Sequence, residues 1–287
     1  MKKCIILTMD NHNSFLHYDN LLDQPMLDIG WKIDYISWRE NRVNWSSYQA
    51  VIIRSTWDYQ DDSELFLQVL TQIEQSGTRL LNSLDIVRWN INKKYLKVLQ
   101  EKGVEIVPTY WLEEFDFNSI EGYFSLFNTK QIVIKPTISA NAENTFWLKY
   151  DTFSLEQTIL EKSLQGKQLM VQPFIPAIVE EGEYSLLYFG GQFSHCILKT
   201  PKAGDFRVQE GYGSHLKAIK PSQELLAAGK KVFAAIPEKV LYARIDLVAF
   251  KNSYKVMEVE LIEPSLYFNL DIKSPKRFAL AFDKWMK

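Results

Sequence analysis

The chain of 287 residues is short of cysteine, histidine and net charge, and each shortage removes a class of function. Its two cysteines, Cys4 and Cys196, lie in separate apolar strand-like runs without metal-ligand spacing. That excludes a disulfide framework and points to reduced core residues in a cytoplasmic protein. The four histidines, at 12, 17, 195 and 215, show no metal spacing, and no Ser-His-Asp order or nucleophile elbow accompanies them. A formal net charge of -2 offers no basic surface to nucleic acid. No apolar run is long enough to cross a bilayer, so no membrane partner is expected. The opening "MKKCIILTMDNHNS" loses its apolar character at Asp10 and reads as a first strand, not a signal peptide. Internal repeats and low-complexity tracts are missing as well.

What is present suits a soluble globular chain: 46% hydrophobic and 24% charged residues, enough for two or three subdomains. Strand-like runs at 4–9, 32–38, 50–55 and 78–82 alternate with helical stretches near 18–30 and 62–76. This pattern predicts an open parallel α/β sheet. Such sheets bind ligands beyond the carboxyl ends of their strands, which draws attention to Asp10, Arg54, Ser55 and Asp58. A helix ending at Gly103 follows, then strands in "VEIVPTYWL" and "QIVIKP", a helix at 153–165 and a strand in "QLMVQPFI". "EYSLLYFGGQFSHCILKTP" predicts a hairpin turning at Gly190-Gly191. Residues 201–221 read as a loop and 222–235 as a helix. A short helix ends the chain.

The stretch "YARIDLVAFKNSYKVMEVELIEP" (242–264) places charge inside its most hydrophobic runs. Side chains two apart share a strand face, so Arg244, Asp246, Val248 and Phe250 point one way. Tyr254, Val256, Glu258 and Glu260 share a face on the return strand. A three-residue turn at 251–253 sets Phe250 opposite Tyr254, Asp246 opposite Glu258 and Arg244 opposite Glu260. Facing carboxylates repel, and a hard cation such as Mg2+ would relieve them. A wet face, or a different turn length, is the ordinary alternative.

Lys135, ending the strand in "IVIKP", reaches a phosphate from a rigid platform or is simply the first solvent-facing residue there. After it come Ser139, Ala140, Asn141, Ala142, Asn144 and Thr145, small residues whose backbone N–H groups suit phosphates. Without glycine this is not a Walker-type loop. Glu183 opens a strand after the hinge at 172–175, where a carboxylate suits ribose hydroxyls or merely solvent. Lys199 and Arg207 flank a Gly-bearing segment that reads either as a charged surface loop or as a lid bringing cations to a phosphoryl group.

The order of these features resembles the ATP-grasp superfamily. "GDFRVQEGYG" is similar to the lid of the bacterial glutathione synthetases and ribosomal-protein glutamate ligases, and "RIDLV…MEVE" to their metal hairpin. "VIIRSTWDY", "KPTISANAENT" and "VELIEP" are closer to the branch of O-ureido-serine cyclo-ligase, of cycloserine biosynthesis. The resemblance implies an α/β (α+β) fold in three parts: an N-terminal open sheet (1–90), a central lid subdomain (91–175) and a C-terminal antiparallel subdomain (176–287). It implies an ATP-dependent, ADP-forming carboxylate–amine ligase acting through an acyl phosphate. Lys93, Lys135, Ser139 and Ala140 would attend the nucleotide phosphates. The backbone around Gln172, Phe174 and Ile175 would read adenine, and Glu183 would bind ribose. Arg207 and Lys199 would be catalytic, and Asp246, Glu258 and Glu260 would hold Mg2+. Gln172 stands where Glu is common, and Glu260 where many members have Asn. Asp10, Arg54, Ser55, Asp58, Arg244 and Glu263 are the substrate-side candidates, with Arg54 suited to a carboxylate and Glu263 to an ammonium group. The partners implied are a small acid and an amine, with a homodimer expected. An intramolecular cyclo-ligase and a non-catalytic nucleotide-binding module are the alternatives.

Overall fold

Three sheets follow one another along the chain in the computed structural model, which describes residues 1–12, 16–140 and 142–287. Asn141, one of the small residues after Lys135, lies outside them. The first sheet is parallel, with strands β1 (Lys2–Thr8), β2 (Trp31–Ser37), β3 (Ala50–Ser55) and β4 (Arg79–Leu81) in the order β2-β1-β3-β4. The expected strands are all present within about two residues. β3 is buried along its whole length because a parallel sheet is covered on both faces. One covering helix, Ser63–Gln75, begins where the Asp62 side chain accepts a hydrogen bond from the Leu65 N–H.

The second sheet is antiparallel: β5 (Tyr110–Leu112), β6 (Gln131–Pro136), β7 (Phe146–Lys149) and β8 (Leu169–Pro173), ordered β5-β8-β6-β7. The strand expected from 104 to 112 is mostly not one. Pro108 has no N–H to donate, and only an isolated bridge, Ile106 to Val256, precedes β5. The helix Tyr95–Glu101, placed with the central unit by the sequence, buries Tyr95, Leu96 and Leu99 in the core of the third sheet.

That third sheet comprises β9 (Glu183–Phe189), β10 (Gln192–Thr200), β11 (His215–Ile219), β12 (Tyr242–Phe250) and β13 (Ser253–Glu260), ordered β11-β10-β9-β12-β13. Gly190 and Gly191, both at positive φ, form the turn between β9 and β10. β11 corrects the expectation of loop throughout 201–221. It is a short, largely exposed edge strand paired only with β10, set in a polar, Gly-containing stretch.

The β12–β13 register corrects another expectation. The turn holds two residues, with Lys251 at φ 55, so Phe250 meets Ser253 and not Tyr254. An extra residue near Met257 then forms a bulge and shifts the register by one. The two departures cancel, and Asp246 still pairs with Glu258 and Arg244 with Glu260. Val256 consequently lies in the core with Ile245, Leu247 and Val259, and Tyr254 packs against them rather than sharing the face of the two glutamates.

Candidate active site

On the β12 face opposite that core, the third sheet carries a row of charge. Lys199 on β10 lies 2.5 Å from Glu183 Oε1 on β9 and 3.4 Å from Asp246 Oδ2 on β12. The Ser185 hydroxyl donates to Asp246 Oδ1 at 2.5 Å, and Arg244 Nη2 donates to Asp246 Oδ2 at 2.9 Å and also to Glu260. Buried charges persist only when paired, and here each answers its neighbour. Burial alone would lower the Lys199 pKa, yet Asp246 and Glu183 push it up. Burial would raise Asp246, but Arg244 and Lys199 hold it down to about 2. The repulsion expected between Asp246 and Glu258 is therefore met from both sides, because Glu258 accepts from Lys93 Nζ at 2.9 Å.

Above this floor is a cavity of about 450 Å³. Lys93 and Lys135 enter it from different segments. Lys93 also donates to the Ser139 carbonyl at 2.7 Å, tying the loop of small residues to the hairpin. Lys135 has no ion-pair partner among the described residues, and burial pulls its pKa down against the opposing charge of Glu258. Ser139 and Ala140 line the cavity beside them.

The hinge at Gln172, Phe174 and Ile175 closes one end. The Gln172 amide donates to Thr109 Oγ1 at 2.9 Å, so this side chain is already engaged. The Phe174 ring stacks on Trp147 at 4.3 Å and 14°, with Phe206 edge-on to Trp147 at 5.6 Å. Trp147 and Phe206 were not singled out in the sequence, where nothing marks two aromatics so far apart as neighbours. Phe206 and Arg207 belong to the segment over the cavity. Arg207 pairs with Asp205 at 2.8 Å and lies 3.8 Å over the Tyr212 ring. The Arg207 guanidinium holds Asp205 well below the usual carboxylate range. Tyr18 donates to Glu210 Oε1 at 3.0 Å, joining this segment to the N-terminal unit.

Four substrate-side candidates, Asp10, Arg54, Ser55 and Asp58, do not line the cavity. Asp10 is exposed beyond β1. Arg54, 1% exposed, donates to Asp19 Oδ1 at 3.0 Å and to the Pro264 carbonyl at 2.8 Å. Ser55 hydrogen-bonds His12 at 3.1 Å, and Asp58 accepts from Trp38 Nε1 at 2.7 Å and Arg39 Nε at 3.1 Å. The chain after β3 instead turns Trp57 and Tyr59 into the cavity. Arg244 lines it too, but Asp246 and Glu260 already occupy its guanidinium.

The three proposed metal carboxylates are not gathered as a ready cage; among the described residues no three acidic, His or Cys side chains are. The reason is the pairing of Asp246 and Glu258 with cations. The donor chemistry nevertheless fits Mg2+, which usually takes one or two carboxylates plus phosphates. Burial, with Glu258 adding to it against Arg244, pushes Glu260 up to about 7. Burial and Glu260 push Glu263 up to about 8.

Residues 4–82 match the N-terminal domain of D-cycloserine synthetase, and residues 116–270 match the ATP-grasp domain of prokaryotic glutathione synthetase. A cycloserine biosynthesis protein of Streptomyces lavendulae is 25% identical over 285 residues, covering 92% of this chain and 93% of that protein. A glutathione synthetase of Photorhabdus laumondii is 20% identical over 245 residues, covering 83% and 72%. Among solved structures, a crystal structure of D-cycloserine synthetase superposes with a TM-score of 0.88 at 23% identity, over 99% of this chain and 100% of that one. The D-alanine–D-alanine ligase of Bacillus anthracis complexed with ATP gives 0.66 at 15% identity over the whole of both chains.

Proposed function

The chain belongs to the family of the prokaryotic glutathione synthetase ATP-grasp domain, and from that premise we propose how its own residues carry the reaction. It is an ADP-forming, ATP-dependent carboxylate–amine ligase that uses Mg2+. A substrate carboxylate oxygen attacks the γ-phosphorus of ATP, the bond to the bridging oxygen breaks, and ADP leaves. An amine nitrogen then attacks the acyl phosphate, losing a proton as phosphate departs and the C–N bond forms.

The observation that carries the assignment of roles is the convergence of Lys93 and Lys135 on the cavity floored by Glu258 and Glu260. Phosphoryl transfer asks for positioning and charge neutralisation more than for a strong protein base. Adenine lies along the hinge beside Phe174, and ribose reaches Glu183, which Lys199 holds in place. Lys135 is free to meet phosphate oxygens, whereas Lys93 exchanges Glu258 and the Ser139 carbonyl for them. Arg207 comes over the transferred group with its segment. Asp246, Glu258 and Glu260 would hold Mg2+, which neutralises phosphate charge when bound.

With ATP, Mg2+ and pooled amino acids and amines, turnover is expected to release ADP and phosphate. Stoichiometric AMP would sink the acyl-phosphate route. A second reading, ring closure within one substrate, is favoured by the match of residues 4–82 to D-cycloserine synthetase and by the similarity along nearly the whole chain. Mass spectrometry separates the two by whether one compound or two disappear per ADP. The cytoplasm as location is supported by Cys4 and Cys196, both free and buried. The expected homodimer is checked by light scattering.

A further inference from the structure

The segment over the cavity, 205–214, is rigid within itself. The Asp205 carboxylate accepts the backbone N–H groups of Phe206 and Arg207 at 2.7 and 3.0 Å, besides pairing with the Arg207 guanidinium. The Ser214 hydroxyl donates to the Arg207 carbonyl at 2.9 Å. The guanidinium lies over the ring of Tyr212, which belongs to the single turn Glu210–Tyr212. Whatever fixes that turn therefore fixes Arg207.

Its two attachments differ in kind. At one end Phe206 meets Trp147, and Val208 is buried with Val107, Ile175, Ile178 and Val248. Peeling that end away would expose apolar surface to water. At the other end the Tyr18 hydroxyl donates to Glu210, and both side chains are half-buried. Breaking this bond exposes no apolar core and returns both groups to water, so the segment opens here first. Tyr18 itself stands on fixed ground. Its carbonyl accepts the Leu21 N–H at 3.1 Å. Its neighbour Asp19, 2% exposed, accepts from Arg54 through the side chain and from the Tyr35 hydroxyl at 3.1 Å through the carbonyl.

We propose that Tyr18 is a positioning residue for Arg207: by holding Glu210 it latches segment 205–214 over the cavity, so that the N-terminal unit sets how fast nucleotide leaves. This rests on the ligase reading for taking the cavity as the nucleotide site. Tyr18 does not line the cavity itself and acts through Glu210 and Tyr212, which do.

The test uses the whole chain with Mg2+ and a fluorescently labelled ADP, whose release into excess unlabelled ADP is followed by stopped flow. Tyr18→Phe removes only the hydroxyl and is expected to speed release roughly fivefold or more. Glu210→Met, close in shape but without a carboxylate to accept the bond, should do the same, and the double variant should release no faster than either. Amide hydrogen exchange, followed without nucleotide, should quicken across 205–214 in Tyr18→Phe while the first sheet keeps its protection. Unchanged release, or unchanged exchange across 205–214, overturns the proposal. So do effects of the two substitutions that multiply in the double variant, or exchange that quickens equally in the first sheet, which would make Tyr18 a residue of the fold alone. Failure of the wild type to bind labelled ADP would instead remove the ligase reading, and exchange across 205–214 would still decide whether Tyr18 latches the segment.

Discussion

Lys135 and Arg54 are both basic side chains near strand ends, and their surroundings set them opposite tasks. Arg54 pairs with Asp19 and donates to the Pro264 carbonyl, so in the fold it ties β3 to the segment after β13. Lys135 has no ion-pair partner among the described residues, and its ammonium group is disfavoured first by burial. Phosphate oxygens would relieve it. Lys135→Ala is therefore expected to leave the apo melting temperature unchanged or slightly higher. Nucleotide affinity should fall by about 1.5–3 kcal/mol, roughly tenfold to a hundredfold in Kd. Calorimetric titration checks this, and an undiminished affinity would make Lys135 an ordinary strand end.

At the scale of elements, the sequence and the structure disagree about Asp246. Facing carboxylates suggested that removing one charge would relieve the apo hairpin. In the fold, Asp246 joins three strands: β12 through Arg244, β9 through Ser185 and β10 through Lys199. Asp246→Asn leaves Arg244 and Lys199 buried with fewer anions, and breaking a buried pair costs roughly 3–5 kcal/mol. The variant should thus be clearly less stable without ligand and lose most of the rise in melting temperature that Mg-ATP brings. Denaturant titration with and without Mg-ATP measures both. An apo stability equal to wild type would restore the repulsion picture.

Across the whole molecule, the first and third sheets are joined by buried polar contacts and a shared apolar core. Asn82, leaving the first sheet, donates to the Tyr242 and Leu261 carbonyls, and the helix Ser274–Trp285 buries Phe278 and Phe282 in a core shared by the first and third sheets. The assembled cavity holds Glu260 and Glu263 pushed up to about 7 and about 8, chiefly by burial. A folded state that keeps protons the unfolded chain releases loses stability as pH rises through those values. Asp246 works in the other direction: held down to about 2, it contributes stability above its ordinary range that is lost as pH falls toward 2. The apo melting temperature should therefore be highest near pH ~5 and decline toward pH ~8, with the decline reduced by Mg-ATP. Thermal melts across that range decide it; a flat apo profile would mean both carboxyl groups ionise freely in the fold.

The sequence by itself determined the strands of the first sheet, the hairpin turning at Gly190-Gly191 and the charged face of β12, because alternation and turn chemistry are properties of neighbouring residues. It also marked Lys135 as the end of a buried strand, which the fold places in the cavity. Only the tertiary structure decided that Arg54 anchors Pro264 while Trp57 enters the cavity, and that Trp147 backs Phe174. It alone cancelled a short turn against a bulge near Met257, and recruited His215–Ile219 as an edge strand. The physical reason is common to all four. A charge, a ring or an edge strand takes its role from partners supplied by remote segments, and those are chosen by packing rather than by local order.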